Sequence, residues 1–222
     1  MKDDLSAHRT YLPPATAHAW TLVAPLVPAG GYLAGGTALT LHLHHRVSRD
    51  LDFFVAEPFD PAELRLKLER AGTFATTLQS AGTLHGVFND TKVQFLDAHT
   101  QQQLADTTRV AGIEIASIRD LLATKLKVIA DRGELRDYFD IMTILNKTPY
   151  TLTEGIGFYV QRYQPDPPQN TVLPILRGLA SFDDVLEDPG LPVDKATIQS
   201  YWTDPDGPLA AVVRSLDTHR SW

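Results

Sequence analysis

Tyr32-Leu33-Ala34-Gly35-Gly36-Thr37-Ala38-Leu39, followed by His45-Arg46-Val47-Ser48-Arg49-Asp50-Leu51-Asp52-Phe53-Phe54, decides how this chain folds. Tyr32 to Ala34 is a short apolar run that suits a strand, and Ala38 to His45 can run as a helix, so the glycines fall at a strand-to-helix turn. Glycine lets a backbone approach a phosphate closely, and a helix N-terminus offers unpaired N–H donors at the positive end of its dipole. Gly35, Gly36 and Thr37 are therefore candidate phosphate-binding positions. Asp50 to Phe54 alternates polar and apolar as a half-buried strand does, which sends both carboxylates to one face and Leu51 and Phe53 to the other. Two acids side by side suit a divalent cation, with Asp50 and Asp52 as its ligands. A lone D-x-D is more often a pair of surface acids on a half-exposed strand, and it is the glycine turn upstream that favours the metal. Arg46 and Ser48, between the turn and the acids, are candidates for a phosphate or base contact.

The rest of the composition sets bounds. The chain has 222 residues, 43% hydrophobic and 21% charged, enough for one large domain or two small ones with a substantial core. It has no cysteine, which excludes disulfides, thiolate zinc sites and cysteine nucleophiles. No apolar run approaches the roughly 20 residues of a membrane-spanning helix, and the opening Met1 to Asp4 is polar, so a cytoplasmic protein is expected. A net charge of −7 argues against a surface wrapped in nucleic acid, though not against a local basic pocket. Basic residues are unevenly placed, with Arg119, Lys125, Lys127, Arg132 and Arg136 close together in sequence.

Along the chain, a helix is expected from about Ala15 to Leu26, another from Pro61 to Ala71, and two or three strands between Thr73 and Asp97, joined by Gly82 and Asn89-Asp90. Ser117 with Asp120 forms a capping-box-like start for a helix to about Ala130, where Gly133 can supply a left-handed cap. A helix from near Glu134 to Leu145 follows, then helices near 155–163 and 172–181, a proline break at 165–168, and shorter pieces punctuated by Pro189, Pro192, Pro205 and Pro208. The expected fold class is α+β: a mixed sheet with flanking helices over residues 1–115, then a helical C-terminal subdomain over 116–222.

On a helical wheel Leu121, Leu122, Leu126, Val128 and Ile129 make one apolar stripe, with Lys125 in its middle and Lys127 on the opposite side. A lysine on a buried face either snorkels to solvent or meets an anion, a triphosphate or a carboxylate cluster. Asp137 lies on the inward face of the next helix with Ile141 and Ile144, and Asp140 is one step round. Acids in a first turn also complement the helix dipole, but a second inward acid raises the prospect that Lys125 meets Asp137 or Asp140 in one site. Two-metal phosphoryl transfer normally wants three carboxylates. In the best third strand, Lys92 to Asp97, Gln94 stands where an acid is expected, so either one metal suffices or Asp97 reaches in. His42, His44 and His45 do not share a helical face, and no zinc site is expected from them. A Walker-type G-K-[ST] ending and a G-x-S-x-G elbow are both absent from the sequence.

Together, Gly35-Gly36-Thr37-Ala38-Leu39, the stretch His45 to Phe54, Leu122-Ala123-Thr124-Lys125-Leu126-Lys127, and Arg132 with Arg136-Asp137-Tyr138-Phe139-Asp140 resemble the AbiEii/AbiGii toxin family of nucleotidyltransferases. The first two pieces are similar to the motif shared across the DNA polymerase β-like nucleotidyltransferase superfamily, and the later two to this family's own motifs. The helical end, with 178–184 and Tyr201-Trp202, is also similar. The resemblance implies a nucleotidyltransferase-type sheet and magnesium-dependent transfer of a nucleoside monophosphate from an NTP to an acceptor, which in toxin members can be the 3′ end of tRNA, with a cognate antitoxin as partner. By the same resemblance Gly36 and Thr37 hold the phosphates, Asp50 and Asp52 the metal, and Lys125 contacts the nucleotide or activates the acceptor with Asp140 as its partner. Gly35, Arg46, Ser48, Arg136 and Asp137 complete the nucleotide-binding set. The rivals are transfer to a protein or small molecule, which the acidic net charge favours, and a catalytically lapsed binding module, for which Gln94 is the sequence hint.

Overall fold

The computed structural model describes residues 5–167 and 169–218; Met1 to Asp4 and Pro168, the end of the expected proline break, lie outside the described residues. Contacts divide the chain into two compact units, Met1–Leu121 and Leu122–Trp222.

Among its described residues the first unit is built on a seven-stranded sheet in the order β3-β4-β5-β2-β1-β7-β6. The strands are β1 (Gly31–Ala34), β2 (Leu51–Val55), β3 (Phe74–Ser80), β4 (Thr83–Phe88), β5 (Thr91–Asp97), β6 (Thr108–Val110) and β7 (Ile113–Ile115). The sheet is mixed: β2 runs parallel to β5 and β1 parallel to β7, while β1–β2, β3–β4, β4–β5 and β6–β7 are antiparallel. Helices α1 (Pro14–Val23), α2 (Gly35–Leu43) and α3 (Pro61–Ala71) belong to this unit. The expected helix from Ala15 to Leu26 ends early, its last turn tightening to a 3-10 helix over Ala24–Leu26 at Pro25.

Alternation decides which sheet face is covered. Leu51, Phe53 and Val55 of β2 and Val93 and Phe95 of β5 are all fully buried, and the Phe53 and Phe95 rings stack 4.9 Å apart. Each such side chain contributes about 1.5–3 kcal/mol of burial. The other face carries Asp52, Phe54, Gln94 and Leu96, which are half-buried. Trp20 of α1 is also fully buried, and its indole N–H donates to the Ala111 carbonyl at 3.1 Å. The β4–β5 hairpin turns through Asn89 and Asp90 at φ 43° and 67°, the left-handed pair that a tight two-residue turn requires. The β6–β7 hairpin, not foreseen from sequence, turns through Ala111 and Gly112 in the same way. Alanine is an unusual occupant of that conformation, which is why the turn carries no clear signal.

Helix α4 (Ile118–Asp131) contains the division between the units. Ser117 caps it as expected, its hydroxyl meeting the Asp120 N–H at 3.2 Å and the Asp120 carboxylate at 2.5 Å. That carboxylate also accepts the Leu104 N–H at 3.0 Å, so Asp120 ties an upstream loop to the helix start.

The second unit is helical: the greater part of α4, then α5 (Leu135–Lys147), α6 (Leu152–Tyr163), α7 (Gln169–Ala180), α8 (Lys195–Thr203) and α9 (Pro208–Thr218). The shorter pieces expected after residue 189 are two regular helices. Asp194 caps α8 through the Thr197 N–H, and Pro208 is the first residue of α9, where its missing N–H costs nothing. Trp202 of α8 is fully buried, its indole N–H reaching the Tyr138 carbonyl at 3.4 Å. The Tyr138 hydroxyl donates toward the Gly178 and Ser181 carbonyls at 2.9 and 3.0 Å. Gly133 is not the left-handed cap expected of it; a methyl there would collide with the Tyr138 ring, so close approach is what excludes a side chain.

Candidate nucleotide site

In the first unit the turn between β1 and α2 gathers most of the predicted residues. Gly35 has φ +64°, a conformation that favours glycine, and a methyl on it would fall on an Asp52 carboxylate oxygen. The Asp52 side chain therefore lies directly against the turn. β1 and β2 pair Ala34 with Asp52, so the last strand residue before the turn and the second acid are cross-strand neighbours. At Gly36 a methyl would lie 2.5 Å from Arg46 Nη2 and 3.2 Å from Ser48 Oγ, so the guanidinium and the hydroxyl crowd the first turn of α2.

The loop from His44 to Asp50 is held to α2 by hydroxyls. Thr37 Oγ1 donates to the Asp50 carbonyl at 2.5 Å and hydrogen-bonds Ser48 Oγ at 2.8 Å. One turn later Thr40 Oγ1 donates to the Arg46 carbonyl at 3.1 Å. Thr37 thus fixes where Ser48 and Asp50 stand; Thr40, which sequence reasoning passed over, is legible afterwards as the hydroxyl at i+3 on the same helix face. Arg46 and Ser48 are buried, the arginine keeping only 9% of its surface, and Arg46 Nη1 donates to the Val47 carbonyl at 3.2 Å. A guanidinium and a helix N-terminus both present N–H donors and positive charge, the chemistry that an anion calls for.

The histidines serve the framework. His44 takes the left-handed cap of α2 and stacks on Tyr11, and His42 Nε2 lies 2.9 Å from the Ala116 carbonyl. Burial lowers the His42 pKa, and the Ala116 bond opposes that shift in part. No group of three or more His, Cys, Asp or Glu side chains fit for a metal occurs among the described residues. Two carboxylates at the start of β2, beside the glycine turn, are of a kind that fits magnesium, which takes one or two protein carboxylates and completes its shell with water and substrate phosphate.

The strand next to β2 settles what stands opposite the acids. β2 and β5 pair Asp52 directly with Gln94, and β4 sets His85 opposite Gln94 on the far side. With the Gln94 amide oriented to satisfy its neighbours, its nitrogen donates to Asp52 Oδ1 at 3.3 Å and its oxygen accepts from Lys92 Nζ at 3.0 Å. Burial, then the Lys92 charge, holds the His85 imidazole below its usual pKa. Asp97 does not reach in. It lies three residues beyond Gln94 on the opposite sheet face, and its carboxylate binds the His99 backbone N–H at 2.9 Å and the His99 ring at 2.7 Å.

In the second unit Lys125 is buried on the apolar stripe, as the wheel requires, and it pairs with both candidate acids. Its Nζ lies 2.7 Å from Asp137 Oδ1 and 2.7 Å from Asp140 Oδ2. Asp140 is fully buried, and the other oxygen of Asp137 accepts the Glu134 N–H at 3.1 Å, so Asp137 caps α5 while it pairs the lysine. Lys127 points outward to Asp131 at 3.1 Å. Arg136 is half-exposed and bound by Glu134 at 2.9 Å, with Asp188 at 3.7 Å.

Comparison with known proteins adds three findings. A protein-family model described as "Nucleotidyl transferase AbiEii toxin, Type IV TA system" matches residues 29–85 and 87–199. An uncharacterized protein of Aquifex aeolicus (strain VF5) is 27% identical over 176 residues, covering 78% of this chain and 81% of that protein. Two solved structures share the fold. One is a protein of H. pylori provisionally named a nucleotidyltransferase (18% identity, 90% of this chain and 94% of that one, TM-score 0.55). The other is MenT4, a nucleotidyltransferase toxin of Mycobacterium tuberculosis H37Rv (17% identity, 87% and 83%, TM-score 0.54).

Proposed function

Since the chain belongs to the AbiEii nucleotidyltransferase toxin family of type IV toxin–antitoxin systems, we propose that it transfers a nucleoside monophosphate from an NTP to the 3′ end of tRNA, with magnesium at Asp50 and Asp52. The observation that supports this most is the convergence of the Gly35-Gly36 turn, Arg46, Ser48 and Asp52 at the N-terminus of α2. A phosphate chain and a divalent cation need neighbouring sites of opposite sign, and here a cationic pocket adjoins a carboxylate edge.

In the proposed reaction the first-turn N–H groups of α2 and the Arg46 guanidinium hold non-bridging phosphate oxygens, and Ser48, its hydroxyl proton given to Thr37 Oγ1, lines the same pocket. The acceptor hydroxyl oxygen forms a bond to the α-phosphorus, the bond from that phosphorus to the β-phosphate bridge breaks, pyrophosphate leaves, and the hydroxyl proton passes to solvent. Magnesium, when bound, neutralises phosphate charge and aligns the triphosphate. Gly35 and Thr37 keep the turn and the acids in place, so the protein's contribution is positioning and electrostatics. Lys125, with Asp137 and Asp140 as its partners, and Arg136 enter as the family's second motif, in contact with the nucleotide or the acceptor. A cognate antitoxin is the expected protein partner, and no helix among the described residues is long and apolar enough to cross a membrane.

Incubation with each NTP labelled at the α-phosphorus, magnesium, and either total tRNA or total protein tests the reading. Label on tRNA is expected. Label on protein would move the acceptor to the first rival, and no label on either would leave a binding module.

A further inference from the structure

The place expected for a third carboxylate, which would help to hold a second cation, is the strand beside the D-x-D strand. In this chain the register allows no such carboxylate. Asp52 faces Gln94 across β2 and β5, and carrying that register one residue back from the pair Leu51 and Val93 sets Asp50 beside Lys92. The two acids are thus faced by an amide and an ammonium. The amide joins them: Gln94 donates to Asp52 Oδ1 at 3.3 Å and accepts from Lys92 Nζ at 3.0 Å. Reversed, it would set oxygen against carboxylate and nitrogen against ammonium, so the hydrogen bonding itself assigns the orientation.

We propose that Lys92, held in place by Gln94, stands in for the second divalent cation, so that the site takes one metal ion with the nucleotide. The charges agree. Three carboxylates with two divalent cations carry a net charge of plus one, and two carboxylates with one divalent cation and one ammonium carry the same. A neutral amide is a weak ligand for a hard cation, and an ammonium beside it repels a second one. The sheet order also assigns the side on which Lys92 acts. The phosphate-holding groups, Gly36 and Arg46, lie on the β1 side of β2, and Lys92 lies on the β5 side. Its charge therefore serves the attacking hydroxyl oxygen, which gains negative charge as its bond to the α-phosphorus forms. Lys92 acts through its charge alone, and Gln94 is a positioning residue. This inference rests on the nucleotide site proposed above.

The test is the number of Mn2+ ions bound per chain, read by electron paramagnetic resonance on the full chain with an NTP analogue that cannot be cleaved between its α- and β-phosphates. The wild type is expected to bind one. The double variant Lys92→Ala, Gln94→Glu restores an acid and removes the ammonium, and is expected to bind two. Two ions in the wild type, or one still in the double variant, would overturn the inference. None in the wild type would instead overturn the metal assignment on which it rests. Lys92 is exposed, so Lys92→Ala should fold, and it provides a second reading. It should lower kcat about 10²-fold with the KM for NTP unchanged, while Lys92→Arg recovers most of the rate. A full rate in Lys92→Ala would also refute the role.

Discussion

Replacing Gly36 with alanine separates the phosphate-binding role of the turn from its structural one. The added methyl would stand 2.5 Å from Arg46 Nη2, where ordinary contact begins near 3.4 Å, so the guanidinium must retreat by about 0.9 Å (3.4 − 2.5). Ser48 Oγ, at 3.2 Å, need give only a few tenths of an ångström. The displaced atoms are the far end of a flexible side chain, so the fold accommodates them. Gly36 has no positive φ, and alanine in a helical turn is favoured over glycine by about 0.5–1 kcal/mol, so thermal stability should hold or rise slightly. The nucleotide contact should suffer: a charge-assisted hydrogen bond is worth about 1.5–3 kcal/mol, which corresponds to roughly 10- to 150-fold in Kd. Titration with an NTP analogue uncleavable at the α–β bridge, alongside melting curves, reads both quantities. Gly35→Ala is the contrast, because its φ of +64° and the Asp52 carboxylate beneath it make that change costly to the fold as well. Wild-type affinity in a well-folded Gly36→Ala protein would refute the assignment of Arg46 and the α2 N-terminus to the phosphates.

Lys125→Ala leaves Asp137 and the fully buried Asp140 without their shared cation, and should cost about 3–5 kcal/mol in urea unfolding; unchanged stability would mean that the acids find other compensation. Tyr138→Phe removes the hydroxyl that reaches the Gly178 and Ser181 carbonyls and should cost about 0.5–1.5 kcal/mol by the same measurement. Burial holds the folded-state pKa of His42 below 6.5, so its contribution to stability is complete above that pH. It is lost as pH falls, because the unfolded chain then takes a proton that the folded one resists. His42→Asn keeps an N–H donor for Ala116 and cannot titrate, so the fall in melting temperature between about pH 7.5 and 5.5 should be shallower than in the wild type. An equal slope would show that His42 does not contribute to it.

What the sequence made legible is what local chemistry dictates. The glycines announced the turn because a left-handed φ at Gly35 and close side-chain approach at Gly36 both favour glycine, and the alternation around Asp52 placed its face because strand period is two. The wheel set Lys125 inward, and both acids it could have met are its partners. The sequence was silent where a contact depends on a distant partner. Gly133 reads as a helix cap until the Tyr138 ring beside it is known, and Asp97 reads as a reserve ligand until His99 is found on its carboxylate. Ala111 takes a left-handed turn that nothing in its own chemistry favours. From sequence alone Gln94 reads as a departure, whereas Lys92, two residues before it on the same strand face, reads as an ordinary exposed lysine. Its meaning lies in the cross-strand register and in the amide that links it to Asp52.

The most direct test of nucleotidyl transfer is to compare NTP labelled at the α-phosphorus with NTP labelled at the γ-phosphorus, in the wild type and in Asp52→Ala. The account predicts that α-label reaches the acceptor, that γ-label leaves as pyrophosphate, and that Asp52→Ala lowers α-labelling by about 10²–10³-fold or more while melting like the wild type. Gamma-label on the acceptor, or full α-labelling by Asp52→Ala, would contradict it.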